Sequence, residues 1–219
     1  MFGNLSLAEI IVRIVAILPA LAISLPFHEL AHAWTAVQLG DDTPRLSGRL
    51  SLNPLAHLDP IGTLMIIFTQ IAGVGMGWAK PVPINPFNFR NHKLGLVLVS
   101  AAGPFANFLL ALVGAIPFRL GLVSGYYQEV GILGLVQSLL FIFIETNLAL
   151  MLFNLIPLGP LDGAKILRGV APREWESVLI QLEQYGTFVL LAIVFLGGSI
   201  LSFIINRPLM LLLGAILGQ

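Results

Sequence analysis

The sequence predicts an all-α polytopic integral membrane protein with four main transmembrane helices, a re-entrant or interfacial segment and short β-strands near the cytoplasmic face. Composition is the first reason, because 57% of the 219 residues are hydrophobic and only 10% are charged. Soluble globular domains lie far from this balance. The second reason is that long apolar stretches recur along the chain, each suited to a hydrocarbon core of about 30 Å.

Charge and cysteine content narrow the functions that such a chain can have. The formal net charge is zero, so no basic surface indicates a nucleic-acid partner. The chain has no cysteine, which excludes disulfides, thiolate metal ligands and a cysteine nucleophile. A metal site would therefore consist of histidine and carboxylate ligands, and the lipid bilayer is the expected surrounding.

The first predicted helix runs from Leu7 to Leu39, with Gly40 as its stop. At 1.5 Å per residue it would be roughly 50 Å long, more than the bilayer requires. It must protrude, tilt or bend. Pro19 and Pro26 are the expected bends, because proline lacks an N–H and clashes with the carbonyl four residues before it.

The segment between Gly40 and Lys93 is less regular. Its first part, "DDTPRLSGRLSLNPLAHLDP", is polar, and the alternation around Arg45 to Leu52 indicates a loop with short β-strands. An apolar, glycine-rich stretch from Ile61 to Trp78 follows and is barely long enough to span a bilayer. The next run, "AKPVPINPFNFRNHK", contains too many prolines for a helix.

The remainder of the chain is mostly apolar. Two clear spans cover about Leu94 to Phe118 and about Val130 to Phe153, and a further span covers roughly Val178 to Ile205. Between them "AKILRGVAPREWE" has the basic and aromatic character of a short interfacial helix. The tail after Pro208 is too short to cross alone. We interpret residues 1–219 as one membrane-embedded domain, with a metal-binding core at about 7–170 and accessory helices at 171–219.

Lysine and arginine residues orient these spans. Eight of them gather on one side if the stretch from Ile61 to Trp78 enters and leaves by the same face: Arg45, Arg49, Lys80, Arg90, Lys93, Lys165, Arg168 and Arg173. The positive-inside rule makes that side cytoplasmic. Ala56 and Lys80 are then expected in the same, cytoplasmic, compartment.

The stretch "FHELAHAW" places three ionisable groups in the first span. His28 and His32 are four residues apart, so both imidazoles point to one side of a helix and can hold one metal ion. In this arrangement Zn²⁺ lowers the pKa of a bound water to about 7, and Glu29 takes its proton. In a soluble helix such histidines are equally often plain surface residues, but three ionisable groups inside a membrane indicate function.

A third ligand is needed, because catalytic zinc normally has three protein ligands and a position for water. Asp162 in "NLIPLGPLDG" is the obvious donor, being the only carboxylate near the basic side at the end of an apolar span. Its depth matches that of the histidines, since His32 lies about 12 Å before Gly40 along the helix. The alternative is that Asp162 belongs to an ordinary Asp-Gly turn.

Three motifs, "HELAH", "AAGPFAN" and "NLIPLGPLDG", together resemble the site-2 protease family of intramembrane zinc metalloproteases. They occur in the family's order and cover the chain from about Pro26 to Arg168. The resemblance implies one Zn²⁺ held by His28, His32 and Asp162, with Glu29 as catalytic base. It also implies that the substrate is a transmembrane helix of another protein. With no PDZ-like insert, the chain resembles a compact bacterial or archaeal branch.

Several further polar residues are secondary candidates. Asn154 can donate to a developing oxyanion or position substrate, or it can cap the broken helix end before Pro157. Asn107 and Asn147 lie in apolar spans, where amides commonly bond helix to helix, and the resemblance adds substrate positioning as a role for Asn107. His57 is a candidate gate or extra ligand. Glu145 is an intramembrane carboxylate that requires a partner.

Two functions of different classes fit these residues. The first is a zinc protease of the cell membrane that is multi-pass and opens its active site toward the cytoplasm. The alternative is a non-proteolytic metal-binding protein or metal transporter with the same ligands. Glu29 favours the protease, because a transporter needs no base beside a ligand.

Overall fold

The computed structural model describes residues 7–65, 78–123, 131–196 and 198–218. Helices dominate this part of the chain, which confirms the predicted all-α class. They are α1 (Leu7–Gln38), α2 (Thr43–Leu46), α3 (Pro54–His57), α4 (His92–Arg119), α5 (Ile132–Asn154), α6 (Asp162–Val170), α7 (Glu176–Leu196) and α8 (Gly198–Leu217). Residues 60–65 are also helical, and single 3₁₀ turns lie at Pro86–Asn88 and Arg173–Trp175.

Among the described residues, four helices are long and apolar enough to cross a membrane, namely α1, α4, α5 and α7. The first three lie close to the predicted bounds, and Pro19 and Pro26 lie inside α1 as expected. The predicted interfacial helix also forms, as α6 and the 3₁₀ turn at Arg173–Trp175 that follows it.

The predicted span from Val178 to Ile205 is helical on both sides of residue 197, which lies outside the described residues. The described part of α7 reaches Leu196, and that of α8 starts at Gly198. Pro208 lies inside α8, where membrane helices tolerate proline because neighbouring groups satisfy the freed backbone.

The short β-strands predicted around Arg45 to Leu52 are wrong for the residues that the structure describes. Arg45 lies in α2, and the pairing found nearby is an isolated bridge between Leu58 and Ala79. Proline in the first turn of α2 and of α3 explains the difference, since its fixed φ favours a helix start. Asn53 caps α3 by accepting from the Leu55 N–H.

The two ends of the stretch from Ile61 to Trp78 lie together. The Lys80 N–H donates to the His57 carbonyl over 2.7 Å, next to the Leu58 and Ala79 bridge. The two ends of the stretch therefore lie side by side, as a re-entrant or interfacial segment requires. Its middle, residues 66–77, lies outside the described residues.

Helix α4 is the centre of the bundle and packs against α1, α5 and α6. Its second half joins α5 and α8 in an apolar cluster, which consists of Ala111, Ala115, Phe118, Ile144, Leu148, Leu209, Leu213 and Ile216. Its first half faces α1 and α6, so this end of the bundle is where α1, α4 and α6 meet.

The loop after α1 is fixed by one buried carboxylate, that of Asp41. It accepts hydrogen bonds from the Thr43 hydroxyl and N–H, the Asn85 N–H and the Asn88 amide, at 2.5–3.1 Å. Burial raises the pKa of Asp41, but these hydrogen bonds outweigh it, beginning with that of the Thr43 hydroxyl, and the pKa lies below its usual value. The ionised carboxylate thus joins the end of α1 to the chain that enters α4.

Candidate active site

Two histidines of α1 lie side by side at the centre of this end of the bundle. His28 and His32 are both buried, and their Nε2 atoms are 3.0 Å apart. The rings meet edge to face, with centroids separated by 4.6 Å. The four-residue spacing therefore directs both ring nitrogens to one point, as the sequence predicts.

The other nitrogen of each ring is held by a hydrogen-bond acceptor. His32 Nδ1 lies 2.6 Å from the Val99 carbonyl, and His28 Nδ1 lies 2.6 Å from Asn107 Oδ1. A carbonyl only accepts, so His32 Nδ1 carries the proton. Its Nε2 then has a free lone pair, which is the form of histidine that binds a metal.

The third group comes from Asp162, the first residue of α6. Its Oδ2 lies 3.3 Å from His28 Nε2 and 3.2 Å from His32 Nε2, and its side chain is buried. The other oxygen, Oδ1, is 3.4 Å from Lys165 Nζ. Within the described residues, these three side chains are the group whose ligand atoms converge closely enough to hold a metal ion.

The arrangement fits Zn²⁺. With ligand bonds of about 2.0–2.2 Å, two corners of a tetrahedral site lie about 3.3–3.6 Å apart. The three ligand atoms are separated by 3.0–3.3 Å, so shifts of a few tenths of an ångström would seat the ion. Two imidazoles and one carboxylate also form a three-ligand donor set typical of catalytic zinc, which leaves a position for water.

Gly103 allows α4 to approach the histidines this closely. A Cβ atom at this position would lie 2.3 Å from His32 Nε2 and 2.7 Å from His28 Cε1. No side chain larger than hydrogen fits there without displacing the imidazoles. The "AAGPFAN" motif, interpreted from sequence as a packing element, thus shapes the space directly beside the ligand atoms.

Glu29 is buried on α1 directly after His28. The structure therefore supplies a buried carboxylate on the helix that carries both histidines. Its role as the catalytic base stays a prediction.

Helix α6, which begins with Asp162, is fixed at both ends. Near its end, Gly169 packs against α4 so closely that a Cβ atom would lie 2.3 Å from Val97 Cγ2. Arg168 donates to Glu176 at 2.8 Å and to Glu183 at 3.0 Å, which ties α6 to α7. Before its start, Gly159 lies against the backbone of α7 at Gly186. The carboxylate of Asp162 is thus presented by a well-anchored helix.

Comparison with known proteins agrees with this geometry. The model of peptidase family M50 matches residues 119–197. The Bacillus subtilis protein named "Putative zinc metalloprotease YwhC" is 42% identical over 190 residues, which cover 85% of this chain and 84% of that protein. The chain belongs to peptidase family M50. The predicted resemblance to site-2 proteases is thereby confirmed, and this M50 chain is a membrane zinc metallopeptidase with Zn²⁺ as its cofactor.

More distant relatives of this M50 chain are named "Putative zinc metalloprotease Rip2". The protein from Mycolicibacterium smegmatis is 27% identical, with 78% of this chain and 62% of that protein covered. The protein from Mycobacterium tuberculosis (strain H37Rv) is also 27% identical, with 81% and 65% covered. This chain thus spans less than two thirds of their length. No solved structure matches.

The secondary candidates of this M50 chain occupy different positions. Asn107 is fully buried and contacts His28 and Asn147, so no contact in the structure supports the substrate-positioning role, which stays a prediction. Asn154 donates to the Leu150 carbonyl over 3.0 Å, inside its own helix. Its oxyanion role likewise stays a prediction.

His57 is buried in α3, and its Nε2–H donates to the Ser51 carbonyl over 2.7 Å. It is not part of the metal-binding group, so the structure gives no support to the extra ligand, and the gate stays a prediction. Glu145 is half-buried on α5. The contacts that orient the two histidines join residues far apart in sequence, so no local sequence pattern predicts them.

Proposed function

We propose that this M50 peptidase hydrolyses peptide bonds in or near transmembrane segments of partner proteins, with Glu29 as the base. The observation that carries the proposal is the depth of the metal site. Both histidines lie inside the apolar span Ile14–Gln38, and all three ligand side chains are buried. A site built among membrane-spanning helices suits a substrate that lies in the membrane as well.

The residues of the chain divide the chemistry among them. When bound, Zn²⁺ supplies a Lewis acid that polarises a carbonyl and allows water to ionise near neutral pH. Glu29 accepts the proton of the attacking water and returns it to the leaving amine. Helices α1, α4 and α6 exclude bulk water from the site, which strengthens these electrostatic interactions.

The test of the base is Glu29→Gln, which keeps size and polarity but cannot accept a proton. We expect unchanged zinc content and a loss of cleavage of a membrane-anchored reporter by at least about 10²–10⁴-fold. The matched control is Glu174→Gln, which makes the same substitution at an exposed glutamate just before α7 and should cleave as wild type does. Cleavage by Glu29→Gln at the wild-type rate would exclude Glu29 as the base.

We further propose that the site opens toward the cytoplasm. The support is the basic residues around α6, the helix that carries Asp162. Lys165 and Arg168 lie on this helix, and Lys93 lies beside the end of the helix, where Lys93 Nζ donates to the Ala171 carbonyl. Single cysteines at Ala56 and Lys80 can be labelled with an impermeant thiol reagent, because the chain has no other cysteine. Both should stay unlabelled in intact cells and react after permeabilisation. Labelling in intact cells would contradict the orientation.

The alternative of a metal transporter has no supporting observation in the structure, and the relatives found are named zinc metalloproteases. Proteolysis by a membrane-embedded zinc site is therefore the function that the geometry and the family support best.

A further inference from the structure

His28 is held by a chain of side chains that reaches a second helix. Its Nδ1 lies 2.6 Å from Asn107 Oδ1 on α4, and Asn107 Nδ2 lies 3.0 Å from Asn147 Oδ1 on α5. Asn147 Nδ2 in turn lies 2.9 Å from the Phe143 carbonyl. Both asparagines are fully buried, so protein groups alone satisfy these amides.

The direction of every hydrogen bond in this chain follows from its last member. The Phe143 carbonyl can only accept, so Asn147 donates to it and presents its own carbonyl oxygen to Asn107. Asn107 donates to that oxygen, and its remaining oxygen faces His28. The proton of His28 must then lie on Nδ1, which leaves the Nε2 lone pair directed at the metal-binding point.

His32 is held in a different way. Its Nδ1–H donates to the Val99 carbonyl, a backbone group whose position depends on α4 alone. The two metal-binding histidines therefore have unequal supports, one from the backbone and one from two amide side chains on two helices.

We propose that Asn107 and Asn147 are positioning residues for zinc, which fix the tautomer and ring orientation of His28. Asn147 acts through Asn107 and contacts no ligand itself. The inference concerns metal binding and holds whatever peptide the enzyme cleaves. Loss of such an outer contact typically lowers metal affinity or activity by about 10–100-fold.

The experiment measures zinc affinity of purified full-length protein by competition with a chromogenic chelator. Asn107→Leu and Asn147→Leu remove the relay, and both should weaken zinc binding, Asn107→Leu by about 10–100-fold and Asn147→Leu by less. Asn147→Asp should bind as wild type does. A buried carboxylic acid is neutral and offers one O–H donor and one carbonyl acceptor, the pair that Asn147 uses.

Ser24→Ala is the matched control. Ser24 is fully buried one turn before His28, and its hydroxyl donates to the Ala20 carbonyl. Only its backbone carbonyl approaches the relay, 3.5 Å from Asn107 Nδ2, and the change to alanine keeps that carbonyl. The Ser24→Ala variant should bind zinc as wild type does. Equal weakening by Ser24→Ala and Asn107→Leu would show a general packing effect and overturn the inference.

Imidazole nitrogen chemical shifts of the zinc-loaded protein give a second readout, since only four histidines are present. The His28 Nδ1–H loses its acceptor in Asn107→Leu, so its shift should change, whereas that of the His57 Nε2–H, which donates to the Ser51 carbonyl, should stay the same. An unchanged His28 Nδ1 shift with wild-type zinc affinity would overturn the inference. Should Asn107→Leu not fold, the Asn147 variants decide, because equal zinc affinity of Asn147→Leu and Asn147→Asp contradicts the relay.

Discussion

Two ends of the bundle are built from different contacts. The cluster end carries His28, His32 and Asp162, and the apolar end is where α4, α5 and α8 meet. At the cluster end, buried imidazoles and amides are held by directed hydrogen bonds of 2.6–3.0 Å, and the Asp162 carboxylate lies 3.2–3.3 Å from both imidazoles. At the other end the helices share a buried apolar cluster, and the Arg119 side chain donates to the Ala215 and Ile216 carbonyls at its edge. Lipid is as apolar as leucine, so that end gains stability from close packing of surfaces rather than from removal from water.

The glycines of α4 show what this difference means. Gly103 faces the imidazoles, where a Cβ atom would lie 2.3 Å from His32 Nε2. Gly114, on the same helix, faces Ile144 and Phe143, and a Cβ atom there would lie 3.0 Å from each side chain. The apolar side chains need to shift by only a few tenths of an ångström to admit a Cβ atom at Gly114, whereas a Cβ atom at Gly103 would overlap the imidazoles and push them away from their common point. Side-chain positions are therefore tightly constrained at the cluster end, whereas side chains at the apolar end can adjust.

The largest effect is expected from removing a ligand. Asp162→Ala should reduce bound zinc from about one per chain to almost none, because two imidazoles remain where catalytic zinc needs three protein ligands. Metal analysis of the purified protein measures this. Leu213→Ala, at the apolar end, should destabilise the protein yet keep its zinc. Equal zinc content in wild type and Asp162→Ala would remove the aspartate from the site.

A second prediction compares the two glycines directly. Gly103→Ala should weaken zinc binding by about 10–100-fold, the range found when the orientation of a ligand is disturbed. Gly114→Ala should leave zinc affinity unchanged and alter thermal stability only slightly. Chelator competition and thermal unfolding of both variants measure this. Similar zinc affinities for the two variants would show that side-chain positions are not more tightly constrained at the cluster end than at the apolar end.

A third prediction concerns the contact between α7 and the chain before Asp162. A Cβ atom at Gly186 would lie 2.6 Å from the Gly159 N and O atoms, and backbone cannot yield as side chains do. Gly186→Ala should therefore weaken zinc binding, but less than Gly103→Ala, because the disturbance reaches the carboxylate indirectly. Thr187→Ala on the same helix is the control. A wild-type zinc affinity for Gly186→Ala would mean that α7 does not position Asp162.

The three side chains that converge could be predicted from the sequence because their signals are local or unusual. His28 and His32 follow a four-residue spacing, and Asp162 is the carboxylate that ends an apolar span beside basic residues. The spans of α1, α4 and α5 follow equally directly from apolar length. Such features depend on few neighbours, so sequence patterns are sufficient to predict them.

The remaining features depend on how helices pack. The relay from His28 to Asn147 joins residues more than a hundred positions apart, and the sequence alone cannot fix which amide faces which imidazole. The helical turns α2 and α3 differ from the predicted strands because Pro44 and Pro54 favour helix starts where the alternating polarity indicates strands.

The smallest effect is expected at Asp41, which joins the end of α1 to the chain that enters α4. Its pKa is lowered in the folded protein, so its contribution to stability is present above the pKa of an unfolded aspartate and is lost as the pH falls through the folded value. Asp41→Asn should lower the free energy of unfolding by about 1–3 kcal/mol near neutral pH, and the difference from wild type should shrink in acid. Thermal unfolding between about pH 7 and about pH 2 measures it, because the loss occurs below the pKa of about 3.9 of an unfolded aspartate. The control is Asp42→Asn, which loses only an exposed ion pair with Arg45 and should match the stability of wild type throughout. A pH-independent difference between Asp41→Asn and wild type would show that the charge of Asp41 does not stabilise this loop.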